Sequence, residues 1–250
     1  MARKYKINEE YFDKIDTETK AYLLGFIYAD GCIIKPSKGR QPKLSVGIQW
    51  SDRYVTELLS QEISPENKVK KVHAPSMIKA GHSPQARWAC SSQHMSDSLH
   101  LLGCASDKTK LGLFFPTLNA DMIQHFIRGF FDGDGGITVD IVKNRYVRKT
   151  SFNIKEPFKA KLRKRAYFCS SDKAFLDFLI SSLPSLKGKV QTIYKRGCYT
   201  YTIEHQEDIK VLYTYLYQNA TIYLQRKIDK FNMTIKSQAE DTSSEGLETT

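Results

Sequence analysis

The chain has 250 residues, of which 41% are hydrophobic, so it is long enough for one large domain or two ordinary ones and too apolar to be wholly disordered. The formal net charge is +11, and because the last fifteen residues hold four acids and one lysine, the rest of the chain is strongly basic, which favours a polyanionic partner such as nucleic acid. No apolar run approaches the ~20 residues that cross a bilayer, and the N-terminus lacks the apolar stretch of a signal peptide, which argues against a membrane protein or a secreted one.

Hydrophobic periodicity and turn residues divide the first part of the chain into helices and strands. A first helix is predicted over 17–29. The elements after it are strands near 32–36 and 43–50, a helix near 52–63, strands near 68–74 and 86–91, and a helix near 93–103. Residues 1–110 are therefore predicted to form one half of the molecule.

The same order of elements recurs in residues 111–235, which are predicted to form a second half. The elements are a helix at 120–133, strands near 136–143 and 161–169, a helix near 172–183, strands near 189–195 and 198–204, a helix near 206–218 and a further helix at 219–234. Residues 236–250 are polar and acidic, and we expect them to be a disordered tail.

Two internal repeats support this division. Residues 22–33 read YLLGFIYADGCI and residues 126–137 read FIRGFFDGDGGI, which align on Asp30 and Asp134. Residues 44–59 and 164–179 also correspond, and each contains a Ser-Asp pair directly before a predicted helix, where Ser or Asp is expected to cap the helix. The sequence therefore predicts an α+β fold made of tandem αββαββα repeats.

Each copy of the first repeat places an acidic residue at the end of a helix. A carboxylate is unfavourable there because the helix dipole already carries partial negative charge at its C-terminus, and a bound cation relieves the conflict. Gly25, Ala29, Gly129 and Gly133 allow two such helices to pack closely, which brings Asp30 and Asp134 together. Adjacent carboxylates repel each other unless they share a proton or bind divalent cations. The simpler alternative, that the aspartates only cap the following turns, is weakened by the second copy.

The two segments LLGFIYADG (Leu23–Gly31) and IRGFFDGDG (Ile127–Gly135) resemble the nine-residue signature of the LAGLIDADG homing endonucleases. The resemblance covers most of residues 17–234 in layout. It implies a single-chain, monomeric endonuclease with a pseudo-twofold axis between the two motif helices at the domain interface. It also implies two antiparallel four-stranded sheets that form a DNA-binding saddle, and a staggered double-strand break.

The resemblance assigns roles to individual residues. The last acid of each motif, Asp30 or Asp134, would hold catalytic Mg²⁺, for which Mn²⁺ substitutes. The earlier acid is Asp132 in the second motif, whereas the first motif has Tyr28 there. This departure is harmless for cleavage if the earlier acid is structural.

The family pattern also implies a basic residue near each active site. The candidates are Lys108, followed by Lys110, in the first half, and Lys227, followed by Arg226, in the second. A lysine there polarises the water network or neutralises the transition state. The alternative is a solvated charge or a phosphate clamp.

Strand alternation predicts which side chains face DNA. In KLSVGIQW, the side chains predicted to point inward are Leu44, Val46, Ile48 and Trp50. In KLRKRAYF, the side chains that share one face are Lys161, Arg163, Arg165 and Tyr167. The predicted DNA-contacting residues are Lys43, Ser45, Gln49, Arg87, Arg145, Arg148, Lys149, Lys161, Arg163, Arg165, Lys195 and Arg196. Because the two halves differ at these positions, we expect a long, asymmetric double-stranded target.

Two alternatives remain open at this stage. An RNA maturase that assists intron splicing would have the same fold and charge and would bind intron RNA, and a regulator of this fold would bind DNA without cutting it. The two intact aspartates favour the nuclease. The five cysteines form no C-x-x-C pair, which predicts reduced thiols in an intracellular protein located with its DNA.

Overall fold

Two four-stranded antiparallel sheets and eight α-helices make up the residues that the computed structural model describes, namely 5–36, 38–104, 112–143 and 160–244. The α+β class and the tandem repeats are confirmed. None of the described helices is long and apolar enough to span a membrane.

The first half consists of α1 (Glu18–Asp30), β1 (Gly31–Ile34), β2 (Lys43–Gln49), α2 (Tyr54–Ile63), β3 (Lys70–Val72), α3 (Pro75–Lys79), β4 (Gln85–Ser91) and α4 (Gln93–Leu101). Its sheet has the strand order β1-β2-β4-β3. The helix α1 begins at the cap residue Thr17, whose hydroxyl accepts a hydrogen bond from the Lys20 N–H at 3.2 Å.

The second half repeats this layout with α5 (Ala120–Asp134), β5 (Gly136–Lys143), β6 (Ala160–Ser170), α6 (Lys173–Ser181), β7 (Gly188–Ile193), β8 (Cys198–Ile203), α7 (Gln206–Tyr217) and α8 (Gln225–Ser244). The strand order β5-β6-β8-β7 is that of the first sheet. The central strand of each sheet alternates as predicted: Leu44, Val46 and Ile48 of β2 are buried, and so are Ala166 and Phe168 of β6.

The structure differs from the sequence prediction in three places. The short helix α3 lies where a loop was expected. The last helix begins at Gln225 rather than at 219, because Asn219, with φ of 64°, follows the end of α7 and residues 220–224 form bends and coil rather than helix. That helix also continues to Ser244, so 236–244 are helical rather than disordered; no Gly or Pro interrupts the chain before Gly246. Residues 245–250 lie outside the described part.

The core is centred on the two motif helices, α1 and α5. An ideal Cβ on Gly25 would lie 2.0 Å from the Phe126 carbonyl oxygen, and one on Gly129 would lie 2.0 Å from the Tyr22 carbonyl oxygen. Tyr22 and Phe126 occupy the same position in the two repeats, so the two helices exchange identical contacts. A pseudo-twofold axis therefore passes between them, and only glycine permits this approach.

Candidate active site and nucleic-acid interface

The motif aspartates lie at the last residue of α1 and of α5, and both are exposed. An ideal Cβ on Gly133 would lie 2.3 Å from the Ala29 Cβ and 3.1 Å from Oδ2 of Asp30. The carboxylate of Asp30 thus reaches the end of the helix that carries Asp134. This packing puts the Asp30 carboxylate beside Gly133, the residue before Asp134.

Lys227 lies against the end of the second motif helix. Its Nζ donates hydrogen bonds to the Phe131 carbonyl at 3.2 Å and to the Gly135 carbonyl, and it lies 5.2 Å from the centre of the Phe131 ring. Burial, followed by the positive charge of Arg226, lowers the pKa of Lys227 to about 8, while Asp132 and Asp30 act in the opposite direction. Lys227, which the family resemblance implied near an active site, therefore lies against the end of the second motif helix.

The donor atoms at this point are carboxylate and carbonyl oxygens, which suit a hard divalent cation. Within the described part of the chain, no three His, Cys, Asp or Glu side chains are grouped as a metal site. A cation at Asp30 and Asp134 therefore needs further oxygen ligands from water, backbone or substrate. Mg²⁺ is characteristically bound in this way, through one or two carboxylates plus phosphate oxygens. The residues present fit such an ion.

The earlier acid of the second motif has a structural role. Asp132 is fully buried; its Oδ2 accepts hydrogen bonds from the Tyr22 hydroxyl and the Leu224 N–H, both at 2.8 Å, and its Oδ1 accepts one from the Tyr217 hydroxyl at 2.6 Å. Burial raises the pKa of Asp132 against the effect of these donors. The side chain fastens the segment after α7 to the motif helix.

Tyr28 performs the corresponding task in the first half. Its hydroxyl lies within hydrogen-bonding distance of the Leu102 carbonyl and 2.9 Å from the Phe114 carbonyl, and so fastens the segment after α4 to α1. The replacement of an acid by tyrosine in the first motif therefore preserves the attachment and leaves Asp30 unaffected.

We expect Asp132→Ala to lower the free energy of unfolding by about 3 kcal/mol or more, because it leaves three buried donors without their acceptor and each costs about 1–3 kcal/mol. Urea denaturation measures this loss. Asp177→Ala is the matched control, since the Asp177 side chain is half exposed and pairs with Lys173 on the surface of α6, where such pairs contribute about 0–1 kcal/mol. Equal midpoints for the two variants would contradict the structural role of Asp132.

The outward face of the first sheet carries the predicted polar residues. Lys43 and Gln49 at the two ends of β2 are exposed, Ser45 between them is half-buried, and Arg87 of β4 is exposed. The guanidinium of Arg87 donates to Gln85 Oε1 at 3.0 and 3.2 Å. Gln49 donates from Nε2 to Oδ2 of Asp52 at 2.6 Å, so its amide is oriented by the protein.

On the second sheet, Arg163 and Arg165 of β6 point outward, whereas Lys164 between them is buried and donates to the Thr234 carbonyl at 2.8 Å. Arg163 pairs with Glu204, and Arg165 pairs with Asp140. Neither acid was predicted from the sequence, because the proximity of each to its arginine depends on strand register.

The remaining predicted contacts are only partly covered by the structure. Lys195 is exposed in the turn between β7 and β8. Lys161 and Arg196 lie in β6 and in the same turn, but their side chains are outside the described part. Lys108, Arg145, Arg148 and Lys149 lie outside the described residues altogether.

Comparison with known proteins agrees with this geometry. Residues 127–236 match the family model described as LAGLIDADG endonuclease, while no curated protein matches the sequence.

Similar solved structures cover nearly the whole chain. I-SmaMI bound to uncleaved DNA in the presence of calcium ions has a TM-score of 0.57 at 16% identity over 91% of this chain and 93% of that one. The meganuclease I-AabMI bound to uncleaved DNA gives 0.58 at 15% over 88% and 91%, and I-LtrWI bound to target DNA gives 0.56 at 11% over 93% and 92%. The second half of the chain is therefore similar to the LAGLIDADG endonuclease family, and the fold of nearly the whole chain is that of these meganuclease structures.

Proposed function

We propose that this protein is a site-specific homing endonuclease that makes a staggered double-strand break in a long, asymmetric DNA target by metal-dependent hydrolysis of phosphodiester bonds. The observation that carries the proposal is the position of Asp30 and Asp134 at the exposed ends of two closely packed helices related by a pseudo-twofold axis.

The symmetry of the site suits the symmetry of the substrate. The two strands of a duplex run antiparallel and are related by twofold axes, and proteins that bind with their own twofold axis along the DNA dyad present equivalent groups to both strands. Asp30 and Asp134 are such equivalent groups, so each serves one strand. Because both come from the same chain, the protein acts as a monomer.

Asp30 and Asp134 would hold Mg²⁺, with Mn²⁺ as a substitute. When bound, such an ion lowers the pKa of an attacking water and stabilises the leaving oxygen. Lys227 supplies the protein's own positive charge at this end of α5. With a pKa of about 8 it is largely protonated at neutral pH, so it is suited to stabilise negative charge that develops on the phosphate.

The outward sheet faces are the proposed DNA-binding surface. The central strands present different side chains, Lys43, Ser45 and Gln49 on β2 against Arg163 and Arg165 on β6, which supports an asymmetric target. Arg163 and Arg165 are paired with Glu204 and Asp140. These ion pairs hold the guanidinium groups in fixed positions before DNA binds. To contact DNA, each arginine must share its carboxylate partner with the DNA or exchange it.

The names of three similar structures state that those proteins were bound to DNA, and one of them to DNA with calcium ions. These statements support double-stranded DNA and a divalent cation for this chain. We place the protein in the compartment that holds its target DNA.

The test is to incubate the purified protein with Mg²⁺ and a pool of randomised or host-derived duplexes, and to sequence the ends produced. We expect discrete, staggered double-strand ends that require the metal, so that EDTA abolishes them and Mn²⁺ restores them. Tight binding of one duplex without cleavage in either metal would overturn the nuclease proposal and favour a non-cleaving DNA-binding regulator. Selective binding of intron RNA alone would favour the maturase.

A further inference from the structure

The Ser-Asp pairs that precede α2 and α6 were expected to cap these helices, but their aspartates also contact the other half of the molecule. Asp172 is the cap residue of α6, with Oδ1 accepting from the Phe175 N–H at 3.0 Å. The helix α2 begins instead after Arg53, without a side-chain cap. The expected cap is therefore present at one site only, yet both aspartates share a second set of contacts.

Asp52 holds the start of α8 from across the interface between the halves. Its side chain is 9% exposed, and its Oδ2 accepts hydrogen bonds from Gln49 Nε2 at 2.6 Å and from Arg226 Nε at 2.5 Å. Hydrogen bonds between charged groups are short and strong. Because Arg226 directly precedes Lys227, Asp52 of the first half fixes the turn that carries the lysine of the second half.

Asp172 makes the reciprocal contact. Its Oδ2 accepts a hydrogen bond from the Leu113 N–H at 2.9 Å. Gly112 has φ of +79°, and an ideal Cβ there would lie 2.6 Å from the same Oδ2, so a glycine is required for the chain to pass this close. Leu113 follows α4 in the chain. An aspartate of the second half thus fixes the segment that follows the last helix of the first.

The relation between the two contacts is the pseudo-twofold relation of the motif helices. Asp52 and Asp172 occupy the same place in the two repeats. Their partners are also in corresponding places, because Arg226 follows α7, Leu113 follows α4, and α7 and α4 are equivalent helices. One such contact is explained as an ordinary cross-domain ion pair. Two contacts exchanged between the halves by equivalent residues indicate a shared task.

We propose that Asp52 and Asp172 are positioning residues for cleavage: Asp52 aligns in trans the turn that carries Lys227, and Asp172 holds in trans the chain at Leu113, at the equivalent place after α4. This inference rests on the proposed function. Lys227 reaches the Phe131 and Gly135 carbonyls only if the first turn of α8 keeps its position. A misplacement of about 1 Å costs on the order of a hundredfold in rate.

The rest of the segment has its own anchors. The Thr221 N–H donates to Glu18 Oε1 at 2.9 Å, and the Leu224 N–H donates to Asp132. Removal of the Asp52 contact therefore leaves the segment folded and changes the alignment of Arg226 and Lys227. Asn at position 172 still offers an oxygen acceptor for the cap of α6, because Asn is as good a cap as Asp.

The test measures both strands separately. A target duplex is labelled with a different dye on each strand and cut under single-turnover conditions by the wild type, Asp52→Asn and Asp172→Asn. We expect each variant to cut one strand at least about tenfold more slowly than the other, with the slow strand opposite in the two variants. Asp177→Asn, a surface control on α6, leaves both rates unchanged.

A double variant tests whether Asp52 acts through Arg226. If it does, Asp52→Asn with Arg226→Gln is no slower than the slower single variant, because the two changes remove the same contact. Equal slowing of both strands in both single variants, or no slowing in either, would overturn the inference while the wild type still cuts. Failure of the wild type to cut any duplex would overturn the proposed function and this inference together.

Discussion

Asp30→Asn and Asp134→Asn are each expected to lower the single-turnover rate of double-strand cleavage by about a thousandfold or more, since metal coordination contributes several kcal/mol to such reactions. The amide is nearly isosteric with the carboxylate but is neutral and a poorer ligand for Mg²⁺. DNA binding is expected to persist and to tighten slightly, because one negative charge that faces the phosphates is removed.

The same variants are expected to be as stable as the wild type or slightly more stable. A carboxylate at a helix C-terminus opposes the helix dipole by about 0.3–1 kcal/mol, and each aspartate ends a motif helix. A gain or no change in melting temperature together with loss of cleavage would identify the aspartates as residues retained for function.

Asp121→Asn provides the matched control on the same helix as Asp134. Asp121 is exposed in the first turn of α5, where a negative charge is favourable. Its replacement is therefore expected to lower stability slightly and to leave cleavage unchanged. Cleavage by Asp30→Asn or Asp134→Asn at the wild-type rate would contradict the assignment of both residues as metal ligands.

The parts of the fold that could be predicted from the sequence are those specified by local patterns that occur in both repeats. The alternation along β2, the glycines of α1 and α5 and the positions of Asp30 and Asp134 follow from residues close together in the chain. Because the repeat implied symmetry, it also implied that the two helix ends meet. Lys227 was named from the family resemblance, and its position against the end of α5 is a contact between distant residues.

The features that the sequence did not predict depend on contacts between distant residues. The segment after α7 has a helix-like composition, but Glu18 and Asp132 hold its backbone N–H groups from other elements. The acids beside Arg163 and Arg165 depend on strand register. Asp52 has the local pattern of a cap residue, yet its partner is Arg226 of the other half. Local propensity does not predict these cases, because contacts with distant residues replace the local hydrogen bonds that the pattern favours.

Gly25→Ala and Gly129→Ala are each expected to lower the free energy of unfolding by about 3 kcal/mol, a large value for overpacking by one methyl group. Helix propensity alone predicts the opposite sign, since Ala is favoured over Gly by about 1 kcal/mol in a helix interior. The contact decides the outcome, because the new Cβ would lie 2.0 Å from a backbone carbonyl oxygen of the facing helix. No rotamer change relieves such a clash, so the helices must separate.

Separation of α1 and α5 also moves Asp30 away from Asp134, so cleavage is expected to fall with stability. Urea denaturation and single-turnover cleavage measure the two effects. Gly47→Ala is the control: on β2 the added Cβ meets Arg87 Cγ at 3.6 Å, an ordinary contact. The double variant Gly25→Ala with Gly129→Ala should cost less than the sum of the single changes, because one separation relieves both clashes. Full additivity would mean that the two glycines act at independent contacts and would contradict a single shared interface.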